Sequence, residues 1–447
     1  MTFTRCLYRL IASAALAAVL SPLATASRTI VNPAHDAAPE STAATPPSSP
    51  QQVYSVPPDK LAKAIALSRI RNILDIAGSV WGIIFLWLLL ATHAAAGLEA
   101  WAQRIAGHRW VQGLVFFAAF FVITWLAGLP LDLYGHIASR NYGISVQGWG
   151  SWFGDQAKAL ALTLVFGTLV LLLFNWIVRR WPRCYWFGIW LVTLPILVLT
   201  IFVEPLFDPL FDKFEPLSAH HPALVDELER VVARTGTNIP PSRMFLMKAS
   251  LKTNGLNAYV TGIGSTKRIV VWDTTAGRIP DDEVLLIFGH ESGHYVLHHI
   301  PKMIAHLAVA LFFVYWGCAA FAGWLIRRFG PQWRAPGLAS RTGFLVLLFA
   351  VSLAGFIFEP ISNHVRRHYE HEADVYGQEA IHDIVPDPQK TAVAAFNDLG
   401  EAWLDDPNPN PFIEFWLYNH PSTENRANFA RRYDPWTTQG HGEFFSK

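Results

Sequence analysis

The segment His290-Glu291-Ser292-Gly293-His294 contains the residues whose types and spacing most directly suggest chemistry. On a helix, residues i and i+4 share a face, so both imidazoles can bind one zinc ion. Glu291 lies beside them and can polarise a zinc-bound water. The preceding Pro280 to Glu283 provides an early proline and first-turn acids, which predicts a helix through Val284 to His299. A solvated helical face that carries two histidines is the alternative interpretation.

A catalytic zinc takes three protein ligands and leaves one position open for water, so the motif needs a third ligand. A histidine ten residues after His290 would supply it, but Ile300 occupies that position. His298 and His299 lie off the shared face or one turn too far along the helix, which favours polar or interfacial roles over ligation.

Better candidates for the third ligand lie in the charged segment Arg366 to Asp374. Glu370 and Asp374 are separated by four residues, so one acid can bind metal while the other steadies a metal-binding histidine from behind. By pattern alone Glu370, Glu372 and His371 all remain open as the ligand, and a charged, solvated helix is the alternative.

The composition is typical of a membrane protein. Hydrophobic residues make up 52% of the 447 positions and charged residues 15%, against about a quarter in an average soluble domain. The 35 Lys and Arg against 34 Asp and Glu give a net charge of +1, which argues against nucleic acid as a partner. The three cysteines are too few for a disulfide framework or a cysteine zinc site.

Six apolar runs reach the roughly 17–25 residues that cross a bilayer. None contains Asp, Glu, Lys or Arg, and many carry Trp or Tyr at their ends, as interfacial belts do. The runs are Gly78–Ala96, Trp110–Leu129, Ala159–Val178, Tyr185–Val203, Ile304–Leu325 and Thr342–Phe358. We therefore expect a mainly α-helical, polytopic membrane protein with six transmembrane helices.

The N-terminal residues resemble a secretion signal. Arg5 and Arg9 precede the apolar Leu10 to Leu20, and Ala24-Thr25-Ala26 is a small-residue cleavage motif. Residues 1–26 are therefore predicted to be a signal peptide or an uncleaved first membrane anchor. The Ala-, Pro- and Ser-rich stretch that follows reads as a tether without a packed core.

The polar segments between and after the spans predict further elements. Pro222 to Gly236 is an amphipathic helix, and Asn363 to Ala380 is a charged helix. Short strands are predicted at Met244–Lys248, Ala258–Gly262 and Arg268–Trp272. The expected organisation is a signal peptide or anchor (1–26), a tether and leading helix (27–70), spans one to four (71–206), a metalloprotease region with the histidine motif (207–303), spans five and six (304–360), the second half of the metalloprotease region with the third ligand (361–435) and a tail (436–447).

The histidine motif and a second motif far downstream together resemble the zinc-type CAAX prenyl proteases, integral membrane metallopeptidases, and their bacterial relatives. The second motif consists of Asn363, Arg367, Glu370, Ala373 and Asp374, with Arg366 where the family usually has Ser. The likeness covers roughly Val53 to Tyr433. Other matching segments are Leu131–Tyr134, Pro205–Asp208, Asp212–Phe214, Asn257–Tyr259, Lys267–Thr274 and His420-Pro421 with Arg426.

The resemblance implies one zinc ion per chain, bound by His290, His294 and Glu370, with Glu291 as general base and acid. It also implies a zincin-like α+β metalloprotease domain with a small β-sheet, and a chamber enclosed by the six transmembrane helices. The implied activity is peptide-bond hydrolysis in CAAX-box protein processing, on peptide or protein substrates that include lipidated C-terminal peptides. A bacterial membrane-protein quality-control protease of the same zinc type is the alternative.

The resemblance further implies that Asn257 and Ala258 lie on an edge strand that receives the peptide in extended form. His420 and Arg426 resemble a pair that contacts the substrate, and His420 is a catalytic candidate because a donor there can stabilise a developing oxyanion. From sequence alone, Asn257 is equally a turn residue before a strand, and His420-Pro421 reads as a turn that begins a helix.

Two non-enzymatic interpretations are weaker. A membrane transporter with a metal-binding insert usually carries ionisable residues along its transport path, and the six apolar runs contain no acidic or basic residue. A zinc-binding scaffold without activity would not need Glu291 beside an intact pair of histidines.

Arginines accumulate on one side of the predicted membrane. The loops between spans one and two, three and four, and five and six carry Arg104, Arg109, Arg179, Arg180, Arg183, Arg327, Arg328, Arg334 and Arg341. The positive-inside rule puts this side in the cytoplasm, which places the metalloprotease region outside, for example on the outer face of a bacterial inner membrane. The family resemblance implies the opposite, a cytosolic metalloprotease region.

Overall fold

The computed structural model describes residues 58–262 and 264–446, so the signal-like segment and most of the tether lie outside the described residues. Within that part of the chain, six helices are long and apolar enough to cross a membrane. The first half contains α1 (Pro58–Ala91), α2 (Ala94–Ile105), α3 (Arg109–Asn141), α4 (Trp149–Leu162), a π turn (Thr163–Gly167), α5 (Thr168–Arg180) and α6 (Tyr185–Phe211).

The polar elements and the last two spanning helices follow. They are β1 (Phe214–Pro216), α7 (Pro222–Thr235), β2 (Met244–Met247), β3 (Ala258–Thr261), β4 (Arg268–Trp272), α8 (Asp273–Ala276), α9 (Asp281–Val296), α10 (His299–Phe329), α11 (Arg341–Ala380), α12 (Pro388–Trp403), α13 (Pro411–Leu417), α14 (Thr423–Arg432) and α15 (Pro435–Thr438). The fold is therefore mainly helical with one small sheet, as predicted.

Aromatic side chains fill the space between the spanning helices. Phe117 on α3, Phe174 on α5 and Phe344 on α11 are almost fully buried, and the rings of Phe117 and Phe344 meet edge-on at 5.7 Å. Gly113 lets α3 approach α5, because a Cβ at that position would lie 2.4 Å from the Leu172 side chain. Close packing of this kind holds transmembrane helices together where burial from water cannot.

The first spanning helix begins earlier and ends sooner than its apolar run predicts. Helix α1 starts at Pro58 and ends at Ala91, and His93 adopts a left-handed φ of 63° before α2 begins. The polar N-terminal half of α1 extends into the metalloprotease region, where an Nη1 atom of Arg71 lies 2.7 Å from an Asp405 carboxylate oxygen.

The sheet has four strands in the order β1-β2-β4-β3. Strand β2 runs parallel to β4, whereas β1 and β3 pair antiparallel with their neighbours. The three predicted strands are confirmed to within one residue, and β1 was not predicted. Strand β3 lies at an edge of this sheet; of the two residues that the family resemblance places on an edge strand, Ala258 begins β3 and Asn257 directly precedes it.

Helix α7 confirms the predicted amphipathic helix and its end. Leu224, Leu228 and Val231 are buried on one face, and they join the core that includes Val284 and Phe288 of α9. The following glycine at position 236 has a left-handed φ of 66°, a conformation that commonly terminates a helix.

Helix α11 is 40 residues long and contains both the last spanning segment and the charged segment. The sequence predicts Thr342–Phe358 and Asn363 to Ala380 as separate elements, but the structure joins them without a break despite Pro360 between them. The predicted division at residue 360 therefore falls inside one helix. This continuity connects the membrane core at Phe344 rigidly to the candidate ligand Glu370.

The C-terminal tail folds back over the end of α11. The Glu379 carboxylate is fully buried and accepts hydrogen bonds from the backbone N–H groups of Phe444 at 2.8 Å and Phe445 at 3.0 Å, and from the Tyr433 hydroxyl. The rings of Phe444 and Phe445 also pack against Tyr376. The tail is thus tied to the helix that carries Glu370.

Candidate metal centre and active site

Glycines allow α9 and α11 to cross at backbone contact. A Cβ at Gly289 would lie 3.0 Å from the Gly377 carbonyl oxygen, and a Cβ at Gly377 would lie 2.8 Å from the His290 amide nitrogen. A Cβ at Gly293, inside the histidine motif, would lie 3.0 Å from the side chain of Tyr376. These contacts bring the motif and the charged segment of α11 against each other.

Three potential ligand atoms converge where the two helices meet. The Nε2 atoms of His290 and His294 lie 3.2 Å apart, and Oε2 of Glu370 lies 3.3 Å from the first and 3.7 Å from the second. A tetrahedral zinc with bonds of about 2.0–2.1 Å separates its ligand atoms by roughly 3.3–3.4 Å, so these spacings fit a zinc site. These three side chains form a potential metal-binding group among the described residues.

His290 is held from behind by a buried ion pair. Its Nδ1 atom lies 2.8 Å from Oδ1 of Asp374. Arg426 on α14 donates to both carboxylate oxygens of Asp374, from Nε at 2.9 Å and from Nη2 at 2.5 Å. Asp374 thus occupies the supporting position that its spacing from Glu370 predicts. Arg426, predicted as a substrate contact, lines the cavity described below while its guanidinium pairs with Asp374.

His294 is held from behind by a different group. Its Nδ1 atom lies 3.0 Å from Nδ1 of His299, and Nε2 of His299 lies 3.1 Å from a carboxylate oxygen of Glu372. His299 is fully buried, so of the two predicted roles, polar or interfacial, its position fits the polar one. Helix α9 ends at Val296, and the short joint to α10 turns His299 back toward the motif.

The charges around His290 favour a bound cation. Burial opposes protonation of the imidazole, but the hydrogen bonds and negative charges of Asp374 and Glu370 outweigh burial and raise the pKa of His290 to about 10. A bound proton or a bound metal ion can supply the positive charge that these groups favour. When the Nδ1 atoms of His290 and His294 carry the hydrogens shared with their outer partners, both Nε2 atoms present lone pairs beside Glu370. Two imidazoles and a carboxylate are the donor set of a catalytic zinc.

His420 reaches the metal side from the loop between α13 and α14. Its Nε2 atom lies 3.0 Å from Oε2 of Glu370, and its Nδ1 atom lies 2.7 Å from the side-chain oxygen of Asn419. The His420 side chain remains 46% exposed, so a substrate can reach it. The structure therefore brings the predicted catalytic candidate next to the ligand group.

A cavity of about 1790 Å³ extends from the metal site into the space between the spanning helices. Glu291, His294 and Glu370 lie in its wall at one end, and the buried Arg366 also lines it. Apolar side chains line the part between the spans, among them Leu86, Phe120, Phe121, Leu197, Phe313 and Phe321. The cavity agrees with the predicted chamber.

The edge strand β3 borders the same cavity. On its inner side, Ala258 pairs with Val271 of β4, and the Asn257 N–H donates to the Thr275 hydroxyl at 2.8 Å. Residues 256–261 line the cavity. The predicted substrate-binding residues Asn257 and Ala258 therefore lie beside the candidate metal site, at a strand edge that pairs with no other strand in the described part of the chain.

Two parts of this site were missed by sequence reasoning. The close contact at Gly289 and Gly377 was not predicted, although the four-residue spacing of Gly289 and Gly293 on the motif helix was a usable signal. The contact between His294 and His299 was also missed, because it crosses a helix break that periodicity does not show.

Comparison with known proteins identifies the family. Residues 218–434 match the family model "Peptidase family M48", and residues 40–213 match "CAAX prenyl protease N-terminal, five membrane helices". The uncharacterized metalloprotease YhfN of Bacillus subtilis is 32% identical over 378 residues, which cover 84% of this chain and 86% of that protein. The chain belongs to peptidase family M48.

Other relatives of this M48 peptidase carry the name that the motifs suggested. CAAX prenyl protease 1 of Saccharomyces cerevisiae is 25% identical over 331 residues, covering 70% of this chain and 71% of that protein. The crystal structure of S. mikatae Ste24p has the same fold, with a TM-score of 0.71 and 22% identity over 83% of this chain and 89% of that one. The M48 peptidase described here is a multi-pass membrane metalloprotease that uses a metal cofactor and acts on peptide or protein substrates.

Proposed function

We propose that this M48 peptidase is a zinc endopeptidase whose ion is held by His290, His294 and Glu370, with Asp374 behind His290. The observation that supports the proposal is the convergence of two Nε2 atoms and one carboxylate oxygen, 3.2–3.7 Å apart, beside a large cavity that His294 and Glu370 line. Three nitrogen and oxygen ligands with one position left open are typical of catalytic zinc rather than structural zinc.

Glu291 is the proposed general base and acid. When bound, zinc supplies Lewis-acid chemistry that makes water nucleophilic near neutral pH. The Glu291 carboxylate lines the cavity next to the ligands, where it takes a proton from the attacking water and returns it to the leaving amine nitrogen. Helix α9 is packed against α11 through glycine contacts, so this carboxylate is held in place before substrate arrives.

Four further residues are proposed to position the substrate and its charge. The outer edge of β3, which begins at Ala258 directly after Asn257, is proposed to receive the peptide backbone as an added strand. The Nε2–H group of His420 donates to the carbonyl oxygen as negative charge develops there. Arg426 lines the same cavity and is proposed to contact the substrate while it holds Asp374.

The decisive experiment compares the purified parent protein with Glu291→Gln and, as a matched control, Glu229→Gln on the exposed face of α7. Glu291→Gln should keep one zinc per chain and lose peptide cleavage by about 10²–10⁴-fold. Glu229→Gln should match the parent in both measurements. Parental cleavage by Glu291→Gln would contradict the mechanism, and parental zinc content in His290→Ala would contradict the ligand assignment.

The proposed substrates are extended or unfolded peptide segments, including C-terminal peptides that carry a lipid. The enclosed cavity favours short segments over folded domains, and its apolar walls between the spans can accept a hydrocarbon chain. Relatives named CAAX prenyl protease support the lipidated class. Matched peptides with and without a C-terminal prenyl group should differ in KM, with the lipidated peptide bound more tightly. Efficient cleavage of a tightly folded soluble protein would contradict this substrate class.

We propose that the metal site faces the outer side of a bacterial inner membrane. Helix α5 ends in Arg179 and Arg180, and α10 ends in Arg327 and Arg328, which places these arginines at the cytoplasmic surface by the positive-inside rule. The CAAX-protease resemblance predicts the opposite orientation, with the metal site facing the cytosol. The test introduces Glu229→Cys at an exposed position on α7. The glycine at position 236, at the end of the same helix, is a poorer site for a cysteine because its backbone is left-handed.

The exposed native Cys184 would be replaced by serine in this orientation experiment. Labelling of Glu229→Cys by a membrane-impermeant thiol reagent in intact cells supports the outward orientation. Labelling that occurs only after permeabilisation contradicts it and supports a cytosolic site.

A further inference from the structure

We infer that His299 is a positioning residue for the second metal ligand, His294. This role presupposes the zinc site proposed above. It adds an explanation of how His294 is held, since His294 lacks the contact to Asp374 that holds His290.

His294, His299 and Glu372 form a row that leads away from the ligand group, with His299 buried in the middle and Glu372 30% exposed at the outer end. Nδ1 of His294 lies 3.0 Å from Nδ1 of His299, and Nε2 of His299 lies 3.1 Å from Oε2 of Glu372. The two imidazole rings are inclined at 74° with their centres 5.1 Å apart. His299 has no measurable exposure, so water does not compete for its ring nitrogens.

The geometry determines where each hydrogen must lie. A neutral imidazole has one N–H group and one lone pair. If Nε2 of His294 binds zinc, its hydrogen lies on Nδ1 and points at His299. Nδ1 of His299 must then accept, which leaves the hydrogen of His299 on Nε2. One arrangement of hydrogens therefore satisfies the contact between the two imidazoles and aims the lone pair of His294 at the ligand group, whereas Nε2 of His299 lies near Glu372 without forming a hydrogen bond to it.

His299 is not itself a ligand in this arrangement. Its Nδ1 atom faces the outer nitrogen of His294, whereas the ligand group consists of the Nε2 atoms of His290 and His294 with Glu370. The nitrogen behind a metal-binding histidine normally donates to a carboxylate, carbonyl or water, and this contact fixes the ring orientation. A second histidine takes that place here.

The local fold keeps His299 in position. The preceding His298 adopts a left-handed φ of 57°, which makes the sharp joint between α9 and α10. The Tyr369 ring on α11 packs against the His299 ring with their centres 4.8 Å apart. Glu372 lies three residues further along α11, so the same helix also brings a carboxylate oxygen to within 3.1 Å of Nε2 of His299.

The experiment measures zinc affinity of the purified full-length protein by competition with a chromophoric chelator. His299→Leu removes the acceptor and should weaken zinc binding by about 10–100-fold. His299→Asn places an amide oxygen near the former Nδ1 atom and should recover most of the loss. His299→Gln reaches the Nε2 position instead and should not. His298→Asn, at the exposed neighbouring position, is the matched control and should equal the parent.

A second readout separates positioning from general destabilisation. Cobalt bound in place of zinc reports ligand geometry through its visible absorption bands, which should shift in His299→Leu and return toward the parent in His299→Asn. Glu372→Ala removes a carboxylate that forms no hydrogen bond with His299 and should keep bound zinc.

Parental affinity and parental cobalt bands in His299→Leu would overturn the inference. If His299→Leu does not fold, the Asn and Gln variants decide, because equal losses in both would show that packing rather than an acceptor holds His294. Parental zinc affinity in His290→Ala would instead contradict the proposed zinc site itself, so the two failures are distinguishable.

Discussion

The two ends of helix α9 handle buried carboxylates in different ways. At the metal end, the carboxylate of Asp374 is nearly inaccessible but contacts His290 and two nitrogen atoms of Arg426. At the N-terminal end, the buried Glu283 faces Asp398 of α12, another acid. Burial and then the charge and hydrogen bond of Asp398 raise the pKa of Glu283 to about 8, so this pair holds a proton at neutral pH.

The difference shows what the metal site requires. A carboxylate that binds or supports a metal must stay ionised in a low-dielectric environment, and a buried cation or hydrogen-bond donor makes that possible. Arg426 provides this at Asp374. Glu283 has no metal to support, and the proton that it holds removes one of the two negative charges without a cation. The ionised network thus lies at one end of this helix and a singly protonated acid pair at the other.

The largest effect is expected from the ligand itself. Glu370→Ala removes one of three proposed protein ligands, so zinc content should fall from one per chain to near zero and cleavage by about 10³-fold or more. Metal analysis of the purified protein measures the first quantity, with Glu372→Ala, two residues away on α11, as the control that retains zinc. Equal zinc in Glu370→Ala and the parent would show that the ionised network does not centre on this carboxylate.

The next largest effect is expected from Asp374, the carboxylate that supports His290. Asp374→Asn keeps the size of the side chain but leaves Arg426 without its buried anion, so zinc affinity should fall by about 10–100-fold and unfolding free energy by about 3 kcal/mol. Chelator competition and thermal unfolding in detergent measure the two effects. An unchanged affinity would mean that the charge of Asp374 does not matter to the His290 side of the site.

A third test addresses the carboxylate that anchors the tail. Glu379→Ala leaves the backbone N–H groups of Phe444 and Phe445 without their acceptor, which should lower stability by about 1–3 kcal/mol with zinc affinity changed less than in Asp374→Asn. Glu443→Ala, in the same tail but exposed, should leave the unfolding temperature unchanged. Loss of zinc as severe as in Asp374→Asn would show that the tail is part of the metal site.

The smallest effect is expected from Glu283 at the N-terminal end of α9. Its substitution should raise stability, whereas the substitutions above lower it. Because the pKa of Glu283 is about 8 in the folded protein and about 4.3 when unfolded, parent stability falls as pH rises through this range. Glu283→Gln does not titrate and can donate to Asp398. Its unfolding temperature should match the parent near pH 4 and exceed it by a few degrees near pH 9. A constant difference across this pH range would contradict the shared proton.

Several features of this protein follow from sequence because they depend on neighbours along the chain. The spacing of His290 and His294 places them on one helical face, and the apolar runs predict six spans whatever their packing. The strands near Met244, Ala258 and Arg268 were also predicted locally. For the third ligand, pattern alone left Glu370, Glu372 and His371 open, and the family resemblance favoured Glu370.

Tertiary structure decided everything that depends on residues distant in sequence. His290 and Asp374 are 84 positions apart, and only the crossing of α9 and α11 brings them together. Periodicity could not show that α11 continues through Pro360, that His299 returns to His294 across a helix break, or that Glu283 meets an acid instead of a cation. Spacing specifies which side chains share a face, but the protonation and partners of a buried group depend on which distant groups surround it in the fold.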